Sequence, residues 1–362
     1  MRVFYLLAIV FVVDGHTTNG HLFEMNGLFR YYSFHLMMFA FGSGYFFKLY
    51  GGACSDLAHR AKKLLVPLYL WNAVYGVGAA LLRRFGGFEL GEPISAYTLL
   101  LAPLTDGQHF VWNLGAWFIF PLFCAQVAYA LIRRLSRLWH ENEVMTFLLC
   151  LIPGCAAVQL CFSGRQEALP LFLLRPMILL PGFAGGQLYR RVLEKRDSLP
   201  TVPYLLCLVV LRVLLSTRYE SLAYLLSNCS YFGCGAFGVY AGAALAIAFY
   251  LRISRLLAPH IVKSRFALAI SRNTFDIMMH HYMGFFALDC FFLALNALGL
   301  GAADFSVRAF RTVANYMYAP SGRSEWNALY LLCGLALPLG IAQCLGWAKA
   351  ALGRALFRRS AT

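Results

Sequence analysis

Residues 5–16, YLLAIVFVVDGH, form an apolar run that ends in an aspartate and a histidine. Ionisable side chains are costly in hydrocarbon, so a functional role is the default reading where one stands there. Imidazole titrates near neutral pH and can take a proton from a hydroxyl, the general-base role in acyl transfer. Asp14 and His16 are two positions apart, about 200° around a helix, and share no face. His16 therefore needs its partner from another helix. The competing reading leaves both residues at a helix end in the wet interface.

Four further positions carry similar weight. His35 opens a second apolar run near the same end as His16. His280 and His281 are adjacent and point to different sides of their helix, so at most one faces a given cavity. Arg175 and Arg212 fall inside apolar spans, where a guanidinium needs an anion, a water path or a group of carbonyls. Pro176 frees carbonyls beside Arg175, while pairing with Asp14, Asp289 or Glu167 is equally open. Arg60, Lys62 and Lys63 stand just before a helix start, which suits phosphate. An orientation signal for membrane insertion explains the same three cations. The chain has no P-loop, GxSxG, HExxH or paired-carboxylate pattern, so nucleotide hydrolysis, serine hydrolysis and zinc chemistry lack support.

The elements that position these residues are membrane helices. Of 362 residues, 60% are hydrophobic and 13% charged, and the mean hydropathy is +0.64. A soluble chain of this length needs more charge to cover its surface. Apolar runs near the spanning length recur at 3–16, 31–50, 64–82, 114–132, 145–162, 169–189, 202–216, 231–251, 274–298 and 329–350. The pattern predicts an all-α polytopic membrane protein with about ten spans, as one domain over 1–362. Pro67 is expected in the first turns of the third span, where its missing amide costs little. The N-terminal run lacks a small-x-small cleavage site and reads as a retained first helix.

The net charge of +15 does not point to nucleic acid. Basic residues cluster at 60–63, 133–137, 190–196, 252–265 and 354–359, between spans. Placing alternate loops in the cytoplasm gathers these clusters and Arg2 on one side, with both termini cytoplasmic. His16 and His35 then approach the opposite side. Anionic lipid headgroups are the implied partner of the basic side. The 11 cysteines form no CxxC and read as small packing residues.

Several segments, in order, resemble the membrane-bound acyltransferase family 3, bacterial O-acetyltransferases of cell-surface glycans. VVDGH (12–16) matches the first-span pattern ending in GH. FHLMMFAFGSGYFF (34–47) is similar to the family's FHMPLFFFxSGY, and AKKLLVPLYLWN (61–72) to its basic-then-Pro-aromatic third span. AWFIFPLF (116–123) resembles LWFLPALF. NTFDIMMHHYMGFF (273–286) resembles NSLxIYLLH and aligns His281 with the family histidine.

The resemblance implies a multi-pass protein of the bacterial cytoplasmic membrane that needs no metal. Its donor would be acetyl-CoA or another acyl-CoA from the cytoplasm. Its acceptor would be a hydroxyl of a cell-surface glycan or lipid-linked saccharide. His16 would be the base, with His35 and His281 orienting it or the acceptor and Arg175 facing the oxyanion. Arg2, Tyr5, Arg60, Lys63, Tyr69, Asn72 and Trp117 would surround the donor. The family usually carries Arg or Lys where this chain has Tyr5, and Arg2 lies about one turn earlier. Direct transfer and an acyl-histidine relay both fit. A transporter with Arg175 and Arg212 along its path, and a non-catalytic relative, are the competing classes.

Overall fold

A helix that is apolar on every side must be covered on every side. That is the situation of α1 (Arg2–Gly15), of whose 14 residues 10 are buried. The structure is a computed structural model and describes residues 1–17, 21–25, 27–138 and 142–359, without the side chains of 352–359. The basic residues Arg354, Arg358 and Arg359 thus lie outside the described side chains.

After α1 come a 3-10 turn (Tyr31–Ser33), α2 (His35–Tyr45), α3 (Ala53–Gly86) and the short α4 (Ala102–Thr105). A 3-10 stretch (Val111–Phe118) runs into α5 (Ile119–Ser136), followed by α6 (Glu143–Phe162) and α7 (Leu171–Leu188). Then follow α8 (Thr201–Arg218), α9 (Gly235–Ile261), α10 (Arg265–Arg272), α11 (Thr274–Ala297), α12 (Val307–Thr312) and α13 (Asn327–Arg359). The fold is all-α and polytopic, as the sequence predicts.

Among the described residues, 8 helices are long and apolar enough to cross a membrane. The sequence counts about ten, and the difference is α1 and α2. At 14 and 11 residues they rise only about 21 and 16 Å, against roughly 30 Å of hydrocarbon. Neither needs to face lipid along its length, because α1 packs among α2, α9, α10, α11 and α13. A short central helix ends inside the bundle, and this puts His16 in the protein interior.

α3 also differs from expectation. It begins at Ala53, with Asp56 in its first turn, so Pro67 stands in mid-helix. The proline has no amide to bond the Lys63 carbonyl one turn before it. Arg60 and Lys63 are therefore on a helix body, not ahead of a helix start.

Between membrane helices, close packing replaces the hydrophobic effect as the cohesive force, and small residues permit it. A Cβ on Gly44 of α2 would lie 1.8 Å from the Phe183 carbonyl oxygen of α7, and one on Gly186 would lie 2.0 Å from that of Phe41. The two backbones touch at both points. Gln187 seals the end of α2 by donating to the Gly44 carbonyl at 2.6 Å.

Ion pairs gather the basic clusters at one end of the bundle. Arg133 and Arg191 share Glu143 at 2.5 and 2.9 Å, and Arg252 and Arg255 share Asp197. Arg190 donates to the Tyr45 carbonyl at 2.9 Å. Arg212 does structural duty instead. It donates to the carbonyls of Leu28 (2.9 Å) and Gly242 (3.0 Å) and to Ser33 Oγ (2.7 Å), fastening the loop before α2 to α8 and α9.

Candidate active site

His16 is the residue on which α1 stops, its amide bonded back to the Val13 and Asp14 carbonyls. Its Nδ1 lies 3.2 Å from Nε2 of His281 on α11, with the two rings 5.0 Å apart and 22° from parallel. The partner that His16 required from another helix is thus a second histidine.

Hydrogen-bond roles fix the tautomers. His281 Nδ1 meets the carbonyls of Ile277 (2.9 Å) and Met278 (3.1 Å). A carbonyl only accepts, so in the neutral ring Nδ1 carries the proton and Nε2 a lone pair. His16 Nδ1 must then donate to that lone pair. The lone pair of His16 is left on Nε2.

His35 follows the same rule, its Nδ1 bonded to the Tyr31 carbonyl one turn back. His280 points elsewhere, as adjacency on a helix requires. Its Nδ1 is hydrogen-bonded to the Tyr75 hydroxyl at 2.8 Å, and its ring meets Trp71 edge-on at 4.2 Å.

The stacking of His281 depends on Gly115. A Cβ there would fall 2.3 Å from His281 Cε1 and 2.8 Å from the Met278 carbonyl oxygen. Only glycine lets the 3-10 stretch approach α11 so closely.

His16, His35, Trp117 and Arg175 line one chamber of about 340 Å³, with Gln108 and Tyr282. Arg175 comes from α7, its guanidinium 5.2 Å from the Trp117 ring centroid. Its Nη2 donates to the carbonyls of Asp106 (2.8 Å) and Ser227. Neither carbonyl is one freed by Pro176, and none of the three expected carboxylates is its partner. Among the described residues, the buried Arg175 Nε has no hydrogen-bond partner.

Asp14 is held away from the chamber, accepting from the Tyr31 hydroxyl (2.5 Å) and the Leu22 amide (2.9 Å). Asp289 accepts from Tyr330 (2.5 Å) and the Tyr318 amide (3.0 Å) and ties α11 to α13.

A second cavity, about 490 Å³, opens toward the basic end and is lined by Tyr5, Lys48, His59, Arg60, Lys63 and Gln126 among others. Arg60 is engaged there by Asp56 (2.9 Å), Gln126 (3.1 Å) and the Lys48 carbonyl (2.8 Å). Tyr5 is hydrogen-bonded to Ser43 and stacks on Phe46, centroids 6.2 Å apart.

The other residues expected around a donor stand elsewhere. Arg2 is exposed and outside this lining. Tyr69 donates to the Leu100 carbonyl at 2.8 Å, and Asn72 to those of Thr98 and Leu99. Both brace the segment before α4. Trp117 belongs to the chamber of the histidines. Among the described residues, no group of three His, Cys, Asp or Glu side chains is placed to hold a metal.

Asp106, Gln108 and Ser227 also line the chamber, and the sequence carries no signal for them because they lie in segments polar enough to pass for ordinary loops. Gln108 accepts from Asn113 at 2.9 Å, a link between residues whose composition carries no signal.

The arrangement defines a multi-pass helical membrane protein with a histidine pair at one chamber, which shares Phe118 and Met278 with a second cavity. The family model for an acyltransferase domain, that of acyltransferase family 3, matches residues 6–347. The chain belongs to this family and is a membrane acyltransferase. No curated protein and no solved structure matches it.

Proposed function

We propose that this protein is an O-acyltransferase of the bacterial cytoplasmic membrane. It takes an acyl group, acetyl foremost, from acyl-CoA and transfers it to a hydroxyl of an extracytoplasmic or lipid-linked glycan. The observation that carries the reading is that Phe118 and Met278 line both cavities. A long, thin donor seated at the basic end can pass its thioester between them and meet His16.

The basic end, with both termini, is assigned to the cytoplasm by the positive-inside rule. Lys48 and Lys63 offer charge to phosphates there, since the charge of Arg60 is already met by Asp56. In the chamber, the acceptor hydroxyl gives its proton to His16 Nε2 as its oxygen bonds to the acyl carbon. The unpartnered Arg175 Nε–H is the donor available to the oxyanion. Collapse of the tetrahedral intermediate breaks the carbon–sulfur bond, and the departing thiolate recovers the proton from His16. His281 holds the ring in the tautomer this needs.

Purified protein in nanodiscs, given labelled acetyl-CoA and an oligosaccharide acceptor, tests the reading. His16→Ala is expected to lower transfer by about 10²–10⁴-fold. Undiminished transfer in that variant overturns the assignment of the base.

A further inference from the structure

A wider cleft opens beside the histidine chamber, at the end of the bundle away from the basic cavity. It measures about 810 Å³, more than twice the chamber's 340 Å³. The loop after α1 contributes His21, Glu24 and Arg30, and the segment between α8 and α9 contributes Glu220, Ser221 and Tyr231. Tyr32 and Leu225 line both spaces. The cleft therefore leads into the place where the hydroxyl reacts.

Its chemistry is mixed in sign. Its lining holds two carboxylates, one guanidinium, one imidazole and a serine hydroxyl. A strongly charged ligand meets like charge somewhere in such a lining, whereas a neutral polyol finds both acceptors and donors. Two of these groups are already set by the fold. His21 donates to the Asp14 carbonyl at 3.0 Å, and Glu24 accepts from the Tyr31 amide at 3.1 Å.

Tyr231 is the less expected feature. The residue is 75% exposed, on a backbone at φ 61°, a region unfavourable for a bulky residue. The position follows a tight turn closed by paired bonds between Leu225 and Ser230, at 2.9 and 3.0 Å. Strain of this kind concentrates at ligand-binding sites. An open ring face is what the apolar face of a sugar packs against, with hydroxyls directed to the carboxylates.

We propose that this cleft binds an extended oligosaccharide of near-neutral charge, several units long. Its reacting sugar passes Tyr32 and Leu225 into the chamber, and the neighbouring units lie between Glu220, Arg30 and Tyr231. The proposal rests on the acyltransferase reading for its reacting end, but it makes a binding claim of its own.

The test uses the full chain in nanodiscs on an array of bacterial oligosaccharides and single sugars. Tyr231→Gly removes the ring and relaxes the backbone, since glycine accepts positive φ. Glu220→Gln removes a charge and keeps the shape. The wild type is expected to retain neutral oligosaccharides and not monosaccharides, and each variant to bind them about tenfold more weakly. With a retained oligosaccharide as acceptor, its KM rises by a similar factor while the KM for acetyl-CoA holds.

Three results overturn the proposal: no retention by the wild type, retention by both variants as strong as by the wild type, or preference for polyanionic glycans. If the wild type binds oligosaccharides as expected but transfers no acyl group, the cleft stands and the acyltransferase mechanism falls.

Discussion

His281 Nε2 accepts from His16 Nδ1 across 3.2 Å, while its own Nδ1 is committed to the Ile277 and Met278 carbonyls. A neutral imidazole with its N–H anchored in a helix backbone thus occupies the place that a carboxylate takes in other base-orienting pairs. It orients without adding charge, which suits a membrane interior where an unpaired carboxylate is costly.

His281 is a positioning residue in this scheme, so its loss should lower kcat and leave substrate affinity alone. Removing the orienting bond lets His16 swing, and a misplacement near 1 Å costs about 10²-fold. His281→Ala is expected to fall by that order in kcat with an unchanged KM for acetyl-CoA. His281→Gln, which keeps an acceptor, should recover part of it. Steady-state kinetics of both variants check this, and a KM effect alone would contradict it.

Gly115→Ala tests the same pair from the opposite wall. The new methyl would stand 2.3 Å from His281 Cε1, so either the ring or the 3-10 stretch must move. Overpacking of this kind costs about 1–3 kcal/mol, which eight long helices can absorb. The variant is expected to insert and fold, with a lowered Tm, yet to lose most transfer. Normal activity would mean that the histidine contact is dispensable.

Much of the fold was legible because apolar runs flanked by cations announce themselves. The run at 145–162 became Glu143–Phe162, and that at 274–298 became Thr274–Ala297. Hydropathy places the start of α3 too late, because residues 53–63 carry charge and polar groups that read as loop, while Asp56 and Arg60 pair one turn apart. The site was legible only in parts. His16 stood out by its cost in hydrocarbon, but its contact with His281 joins residues 265 positions apart. Local pattern holds no record of that. Asn72 and Tyr69 were expected at a donor, and their faces are turned by the pitch of α3 toward the backbone at 98–100.

Phe118 and Met278 border both cavities, so their bulk should set which acyl chains reach His16. Phe118→Ala widens that boundary and removes a ring that is only 2% exposed. The ratio of kcat/KM for butyryl-CoA over acetyl-CoA is expected to rise by about tenfold, since each added methylene is worth roughly 1–3 kcal/mol in a fitting pocket. A ratio unchanged from wild type would place the donor's path elsewhere.

The basic cavity offers the last discrimination, between a donor that needs the nucleotide and one that does not. Lys63 lines the cavity and is exposed, whereas Arg60 is held by Asp56 and Gln126. Lys63→Ala should therefore raise the KM for acetyl-CoA by about tenfold at low salt and by less at high salt, because exposed charges are screened. Acetyl-pantetheine lacks the nucleotide phosphates, so its KM should not respond. Arg2→Ala should change neither, since Arg2 stands outside the lining. Tyr5→Arg restores the cation usual in the family, but Gly42 sits against the tyrosine ring, where a Cβ would lie 2.6 Å from Tyr5 Cζ. Because Tyr5 borders Ser43 and lines the cavity, an arginine at position 5 is expected to carry its charge toward both. Tighter acetyl-CoA binding in Tyr5→Arg, with acetyl-pantetheine unaffected, would locate the phosphates beside α1. Equal responses of the two donors to Lys63→Ala would remove them from this cavity.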